Sequence, residues 1–174
     1  MNLDEAEETH WRVADPDWED PFEGAYSMRL GQRWNAKGSF PIAYLNANEE
    51  TANANARLMV ERVATLGVDI DDLEEGELPI LIPCVVPART VLDAVSDAGC
   101  VDVGLPQSYP FELSGGVVPH ATCQPIGEAA WQGGLDGIAC RSAALLTDAG
   151  RELAWFDRPG KRLTSSGPGV RYSE

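Results

Sequence analysis

The pattern of apolar and polar positions predicts short strands alternating with helices. Residues 10–13 and 40–45 are apolar enough for strands, and the prolines between them interrupt regular structure. Residues 52–66 carry apolar side chains at every third or fourth position, which is typical of the buried face of a helix. Asn48 is suited to cap this helix and Gly67 to end it. The first half of the chain thus predicts strand, loop, strand and helix.

The second half of the chain continues this alternation. Residues 78–86 form an apolar run that predicts a strand, and its prolines favour an edge position. Helices are predicted over residues 90–98 and 125–132, and strands over residues 137–140 and 152–156. Short strands interrupted by prolines fit a compact mixed α/β domain better than a doubly wound parallel sheet.

Segments without this periodicity indicate one domain with two flexible ends. Residues 1–9 form an acidic lead, and residues 158–174 are rich in Gly, Ser and Arg, so both are predicted to be flexible. Residues 71–76 read as a solvated acidic connection, and residues 109–119 as a loop rich in Gly and Pro. The chain of 174 residues is long enough for one core, which we assign to residues 10–157.

Composition changes this picture mainly through charge. The chain has 28 acidic and 13 basic residues, a formal net charge of −15. Such a field repels phosphate backbones, so direct nucleic-acid binding is not expected. An acidic inhibitor that occupies a nucleic-acid-binding protein stays open as an alternative. Neither a membrane-spanning apolar run nor a signal-peptide core is visible, so no membrane partner and a cytoplasmic location are expected.

Cysteine and histidine positions give no metal or triad pattern. The cysteines are widely separated, without a C-x-x-C pair, at Cys84, Cys100, Cys123 and Cys140. Zinc sites need closely paired ligands, so we expect no metal and predict reduced, structural thiols. His10 and His120 have no serine or cysteine partner at a triad spacing, and His120 is interpreted as a structural or surface residue.

One block of sequence carries a more specific pattern. From Gly31 to Gly38 an arginine, an aromatic residue and an asparagine precede a glycine turn, and a strand ending on Tyr44 follows. This block resembles the N-terminal signature of the RES domain, a family named for its arginine, glutamate and serine. Trp11-Arg12 and residues 137–143 resemble further blocks of the family in the right order. The resemblance therefore extends over residues 10–157.

The resemblance implies both a fold and an activity. RES domains have a split mixed β-sheet like that of ADP-ribosyltransferases, and characterised members are mostly toxins that destroy NAD. The implied reaction breaks the nicotinamide–ribose bond, with water, phosphate or a protein as acceptor. NAD would be the substrate, and no permanently bound cofactor is implied. A helix-turn-helix antitoxin and a homodimer are the partners that the family suggests.

Carried over residue by residue, the resemblance assigns roles in the site. Arg33 and Arg12 would clamp the diphosphate, because a guanidinium is always charged and forks onto phosphate oxygens. Tyr44 would present its ring to nicotinamide and its hydroxyl to a ribose. Ser142 would donate to a ribose or a phosphate. A surface ion pair for either arginine, a core role for Tyr44 and a buried, satisfied hydroxyl for Ser142 stay open.

The glutamate of the family signature is missing. Eleven residues after Tyr44, the family spacing, stands Asn55. An amide cannot supply charge to an oxocarbenium-like transition state, and losing one such contact costs on the order of 3 kcal/mol. We expect any replacement carboxylate to come from the loop that follows Arg12, at Asp15, Asp17 or Asp20. The alternative is a catalytically impaired RES-like module that binds a nucleotide or a protein.

Overall fold

The computed structural model describes residues 1–65 and 75–173. Within them lie nine strands, four α-helices and one short 3-10 helix. The strands are β1 (Asn2–Glu5), β2 (Glu8–Ala14), β3 (Ile42–Asn46), β4 (Ile80–Val86), β5 (Arg89–Ala94), β6 (Gly137–Arg141), β7 (Arg151–Phe156), β8 (Thr164–Ser165) and β9 (Val170–Arg171). The helices are α1 (Ala25–Leu30), α2 (Glu49–Thr65), α3 (Asp97–Asp102) and α4 (His120–Gln132), and the 3-10 helix spans Glu75–Glu77.

All described strands belong to one mixed sheet. Their order is β1-β5-β6-β7-β3-β2-β4-β8, and β9 also pairs with β4. Strands β5 and β6 run parallel, whereas the other described pairs are antiparallel. The mixed α/β class predicted from the sequence is confirmed. Five predicted strands are found within two residues of their expected bounds, as β2, β3, β4, β6 and β7.

The sheet is split between β2 and β3. These strands share one residue pair, Trp11 with Asn46, whereas β2 pairs with β4 along its whole length. Arg12 bridges the gap with its guanidinium: Nη1 donates to the Tyr44 carbonyl over 2.7 Å and Nε to the Pro21 carbonyl over 2.8 Å. The side chain therefore supplies hydrogen bonds where the backbone ladder is missing.

Residues of β3 alternate between two packed faces of the sheet. Ile42 belongs to the core cluster around Trp34 and α4, and Leu45 to the cluster on the opposite face. Because side chains alternate along a strand, Tyr44 and Asn46 share the face of Ile42. That face carries the side chains discussed below.

Helix α2 begins as the sequence predicted. Asn48 Oδ1 accepts a hydrogen bond from the Thr51 backbone N–H over 2.8 Å, which caps the first turn. Ala52, Ala56 and Val60 pack against β4 and the C-terminal segment. The predicted end of the helix near residue 66, and residues 71–74 of the acidic connection, lie outside the described residues. No helix in the described part of the chain combines the length and apolarity needed to cross a bilayer.

The helix predicted over residues 90–98 is wrong. Residues 89–94 form β5 instead, and the helix α3 begins only at Asp97. The strand side chain Val91 is fully buried between sheet neighbours, and β-branched residues favour such pleated surfaces. Ser96 marks the change of structure, because its Oγ accepts the Gly99 N–H and caps α3.

The helix predicted over residues 125–132 begins five residues earlier, at His120. Pro125 lies inside this helix and not in its first turn. The preference of proline for the first turn therefore predicted the wrong start of the helix. Gly127 allows this helix to pack closely against its neighbouring loop. A Cβ on Gly127 would lie 1.8 Å from the Trp34 carbonyl oxygen, so α4 packs directly on the backbone of the loop that carries Arg33.

Both ends of the chain join the sheet, whereas the sequence predicted flexible segments over residues 1–9 and 158–174. Strand β1 pairs with β5, and β8 and β9 both pair with β4. In the C-terminal segment Leu163 and Tyr172 are 3% and 7% exposed. Two buried apolar side chains anchor a stretch whose Gly and Ser content predicted mobility, so the folded unit exceeds residues 10–157.

Candidate active site

A cleft of about 310 Å³ opens where the sheet splits. Its volume lies in the range of small-molecule sites. Four predicted site residues line it: Arg12, Arg33, Tyr44 and Asn55. The fifth, Ser142, does not line the cleft but lines a separate cavity, and it contacts Glu152, which does line the cleft. The folded chain therefore gathers residues from β2, β3, β7, α2 and the loop before β3.

Arg33 presents an unpaired donor. Its Nη1 is buried and makes no hydrogen bond to any described residue, although buried donors are normally paired. Arg33 also forms no ion pair with a described acid, so the surface ion pair is not found. Burial lowers its pKa, but nearby titratable groups, chiefly Tyr109 and to a smaller extent Cys140, Cys123 and Glu152, outweigh burial and raise the pKa above its usual value. Arg33 is therefore a partly buried cation with one unpaired donor.

The loop around Arg33 is held by buried polar contacts. Asn35 is fully buried, and its Nδ2 donates to the Phe40 carbonyl over 2.8 Å and to Ser27 Oγ over 3.2 Å. Trp34, also fully buried, anchors the loop in the core beside α4. These contacts tie the loop to α1 and to the segment just before β3. They fix the backbone from which the Arg33 side chain enters the cleft.

The Tyr44 hydroxyl faces this loop. It accepts a hydrogen bond from the Trp34 N–H over 3.1 Å and donates to Asn35 Oδ1 over 3.3 Å. Burial raises its pKa well above the usual value, so the phenol stays protonated. With its hydroxyl engaged, Tyr44 offers the cleft mainly its ring, and the contact with a ribose stays a prediction.

Arg12 lies at the base of the split. Its side chain is buried, and two of its three nitrogens already donate to the carbonyls of Pro21 and Tyr44. Burial lowers its pKa to about 10, which still leaves it charged at neutral pH. The guanidinium carbon also lies 5.0 Å from the ring centre of Trp18. Nη2 is the nitrogen that remains for a ligand, so the clamp role stays a prediction.

Asn55 lies beside a carboxylate. Its Nδ2 donates to Glu152 Oε1 over 2.9 Å and to Asn46 Oδ1 over 2.8 Å. Ser142 Oγ donates to the same Glu152 oxygen over 2.6 Å. Asn46 in turn donates to the Trp11 carbonyl over 3.1 Å. One polar chain therefore connects β2, β3, α2, β7 and the residue after β6, with a negative charge at its centre.

The loop aspartates do not supply this carboxylate, and that expectation is wrong. Asp15 Oδ1 accepts the Asp17 N–H over 2.9 Å, which is a local turn. Asp20 pairs with Arg162 over 2.5 Å. None of Asp15, Asp17 and Asp20 lines the cleft. Glu152 was missed because it opens a short apolar strand, and only the pairing of Asn46 with Glu152 places it opposite the cleft residues of β3.

The residues that line the cleft carry a net positive charge, opposite in sign to the net charge of the whole chain. Three arginines and one carboxylate line it, although the whole sequence carries −15. Arg62 and His120, which sequence reasoning did not assign to the site, lie at its rim. The pKa of His120 is lowered by burial and by the repulsion of Arg33 and Arg62, so His120 is neutral at pH 7. Such a positive pocket favours an anionic ligand.

A larger cavity of about 640 Å³ is lined by two arginines, Arg141 and Arg151. Arg141 is already bonded to three backbone carbonyls and to Asp97. The described residues contain no cluster of three His, Cys, Asp or Glu side chains that could hold a metal. All four cysteines are buried and outside any disulfide.

Comparisons with known proteins bear on the fold and the family of this chain. A chain of the Mycobacterium tuberculosis MbcT–MbcA toxin–antitoxin complex superposes with a TM-score of 0.75, at 22% identity, over 99% of this chain and 87% of that one. The two chains share a fold, and the single domain with a mixed β-sheet expected from the sequence is confirmed. No curated protein matches the sequence significantly. The RES domain family model matches residues 9–173, and the chain belongs to the RES domain family.

Proposed function

We propose that this chain is a RES-type toxin that binds NAD in the cleft and cleaves its nicotinamide–ribose bond. One observation carries the proposal: Arg33, whose buried Nη1 has no partner among the described residues, and Glu152 line the same positive cleft. An anionic dinucleotide needs a cationic donor, and cleavage at its ribose needs a nearby anion. Both groups are supplied by the fold.

The chemistry follows from the charge that develops during cleavage. As the glycosidic C–N bond breaks, positive charge grows on the ribose and nicotinamide leaves as a neutral molecule. Groups that bind this charge more strongly than the ground state accelerate the reaction. Arg33 would hold the diphosphate, with Arg12 and Arg62 contributing field, and the Tyr44 ring would pack on nicotinamide or ribose. The acceptor is water, phosphate or a protein nucleophile, and each leaves a different product.

The proposed partners follow from the same chemistry. An enzyme that destroys NAD in the cytoplasm harms its own cell unless the cleft is covered. The similar solved structure is a toxin–antitoxin complex. We therefore propose an antitoxin for this chain, of the helix-turn-helix type that the family suggests, and a homodimer of the toxin itself.

Expression in a bacterial host tests the proposed activity. Wild-type chain should stop growth and lower the cellular NAD concentration before viability falls. Arg33→Ala should abolish both effects, because the diphosphate loses its donor. Arg57→Ala is the matched control, since Arg57 is an exposed arginine of α2 away from the cleft. Normal growth and unchanged NAD at high wild-type expression would contradict the proposal.

A binding module is the second candidate function, and Asn55 favours it. An amide in place of the family glutamate keeps hydrogen bonding but removes charge from α2. Titration of purified chain with NAD separates the two. Binding in the micromolar range without nicotinamide release would support the module, whereas turnover excludes it.

A further inference from the structure

The missing glutamate of α2 has a counterpart across the cleft. We propose that Glu152 of β7 supplies the negative charge that stabilises the ribosyl cation, and that Asn55 positions it. This inference rests on the proposed NAD cleavage. In this chain the charge enters from the strand, and the helix contributes a hydrogen-bond donor.

The geometry of Glu152 suits this task. Oε1 accepts hydrogen bonds from Asn55 and Ser142, which fixes the carboxylate plane. Oε2 makes no hydrogen bond to the described residues. One oxygen is therefore held, and the other is available to a substrate. A carboxylate with one engaged and one open oxygen is oriented without being neutralised.

The position of Glu152 in the sheet gives it rigidity. Its backbone pairs with Asn46 of β3 on one side and with Cys140 of β6 on the other. Sites built on central strands hold their geometry more closely than sites on loops. Arg33 and Glu152 both line the cleft, so a cation and an anion border the same ligand space.

Asn55 is a positioning residue in this arrangement. Both protons of its amide are used, one toward Asn46 and one toward Glu152. A second carboxylate at residue 55 would repel Glu152 and lose both donors. A charge on α2 and a charge on β7 are therefore alternatives. Asn55 fits a site in which the strand already carries the charge.

The reaction step balances without any further redox partner. The C1′–N bond of the nicotinamide riboside breaks, and its electron pair stays on the ring nitrogen, which leaves as neutral nicotinamide. A water or phosphate oxygen forms the new C1′–O bond, and in hydrolysis the proton of the water passes to solvent. Glu152 Oε2 stabilises the cation by charge alone and forms no covalent bond.

A purely structural role for Glu152 makes a different prediction. In Glu152→Gln the side-chain carbonyl oxygen still accepts from Asn55 and Ser142, so the polar chain is kept and only the charge is lost. If Glu152 merely satisfies its neighbours, this variant retains activity. If Glu152 acts on the ribose, the variant folds and binds NAD but turns over slowly.

The test uses the purified full-length chain, NAD and chromatographic measurement of released nicotinamide. Glu152→Gln should lower kcat by about 10²–10³ with KM and the thermal midpoint nearly unchanged, as for loss of one electrostatic contact. Exposed Glu50→Gln on α2 is the matched control and should behave as wild type. The double variant Asn55→Glu with Glu152→Gln should recover at least tenfold of the lost kcat, because it returns the charge to the helix.

The outcomes separate this inference from the proposed function. Active wild type with Glu152→Gln within threefold of its kcat overturns the role of Glu152 and leaves NAD cleavage standing. A double variant no faster than Glu152→Gln overturns the exchange of charge between helix and strand. Wild type that releases no nicotinamide overturns the proposed function and this inference together.

Discussion

The hydroxyl of Tyr44 accepts a hydrogen bond from the Trp34 backbone N–H over 3.1 Å, which ties β3 to the loop that carries Arg33. Tyr44→Phe removes this link and leaves a partly buried N–H unpaired. We expect a loss of about 1–2 kcal/mol in the free energy of unfolding and a several-fold increase in KM for NAD. Urea unfolding and initial rates measure both.

Tyr26→Phe is the control for this change, because Tyr26 is 40% exposed and lies outside the cleft. A Tyr44→Phe chain with wild-type stability and KM would show that the loop does not depend on the hydroxyl. An unchanged KM with a much lower kcat would place the hydroxyl in the chemical step instead.

Gly127 should tolerate no side chain. A Cβ there would lie 1.8 Å from the Trp34 carbonyl oxygen, so in Gly127→Ala either α4 or the Arg33 loop must move. We expect a loss of about 1–3 kcal/mol in the free energy of unfolding, as for overpacked sites, and reduced NAD cleavage. Thermal unfolding checks the first effect. Gly116→Ala is the control, because the nearest atom to its Cβ would be 4.0 Å away.

His10 should make stability depend on pH. Burial and the charge of Arg89 lower its pKa from 6.5 to about 4, so between these values the unfolded chain binds the proton and the folded chain does not. The free energy of unfolding is therefore not reduced by His10 above pH 6.5, and it falls as the pH decreases toward 4. The decrease due to His10 is about 3 kcal/mol at pH 4.

Urea unfolding between pH 7 and pH 4.5 tests this dependence. His10→Gln should show a clearly smaller fall in the free energy of unfolding over this range than wild type. The rim residue His120 provides the comparison as His120→Gln, which should keep most of the wild-type slope. Parallel curves for wild type and His10→Gln would contradict the role of His10.

Features that depend on local sequence patterns could be predicted from the sequence. The Arg33 block, the strand to Tyr44 and the helix carrying Asn55 are each local, and the structure brings them to one cleft. The error at β5 has a local cause, because Thr90–Ala98 carries apolar residues compatible with either period. Residues 158–174 were predicted to be mobile because the segment is rich in Gly and Ser. Composition does not reveal that two of its side chains are buried.

Glu152 depended on information that a single sequence lacks. Its proximity to Asn55 arises from the pairing of β3 with β7, whose partners are more than 100 residues apart in the chain. Its neighbour Ser142 was identified through the family motif, but the contact between the two required the fold. Register between distant strands is set by packing, and local propensity does not determine it.

Nicotinamide release from NAD by the purified chain tests the proposed activity most directly. Proton NMR follows nicotinamide together with ADP-ribose in water, or its 1″-phosphate when phosphate is present. We expect one nicotinamide per NAD consumed, a rate lower by at least about 10² in Arg33→Ala, and an unchanged rate in Arg57→Ala. Intact NAD after prolonged incubation with wild type, or equal rates for wild type and Arg33→Ala, would contradict NAD cleavage in this cleft.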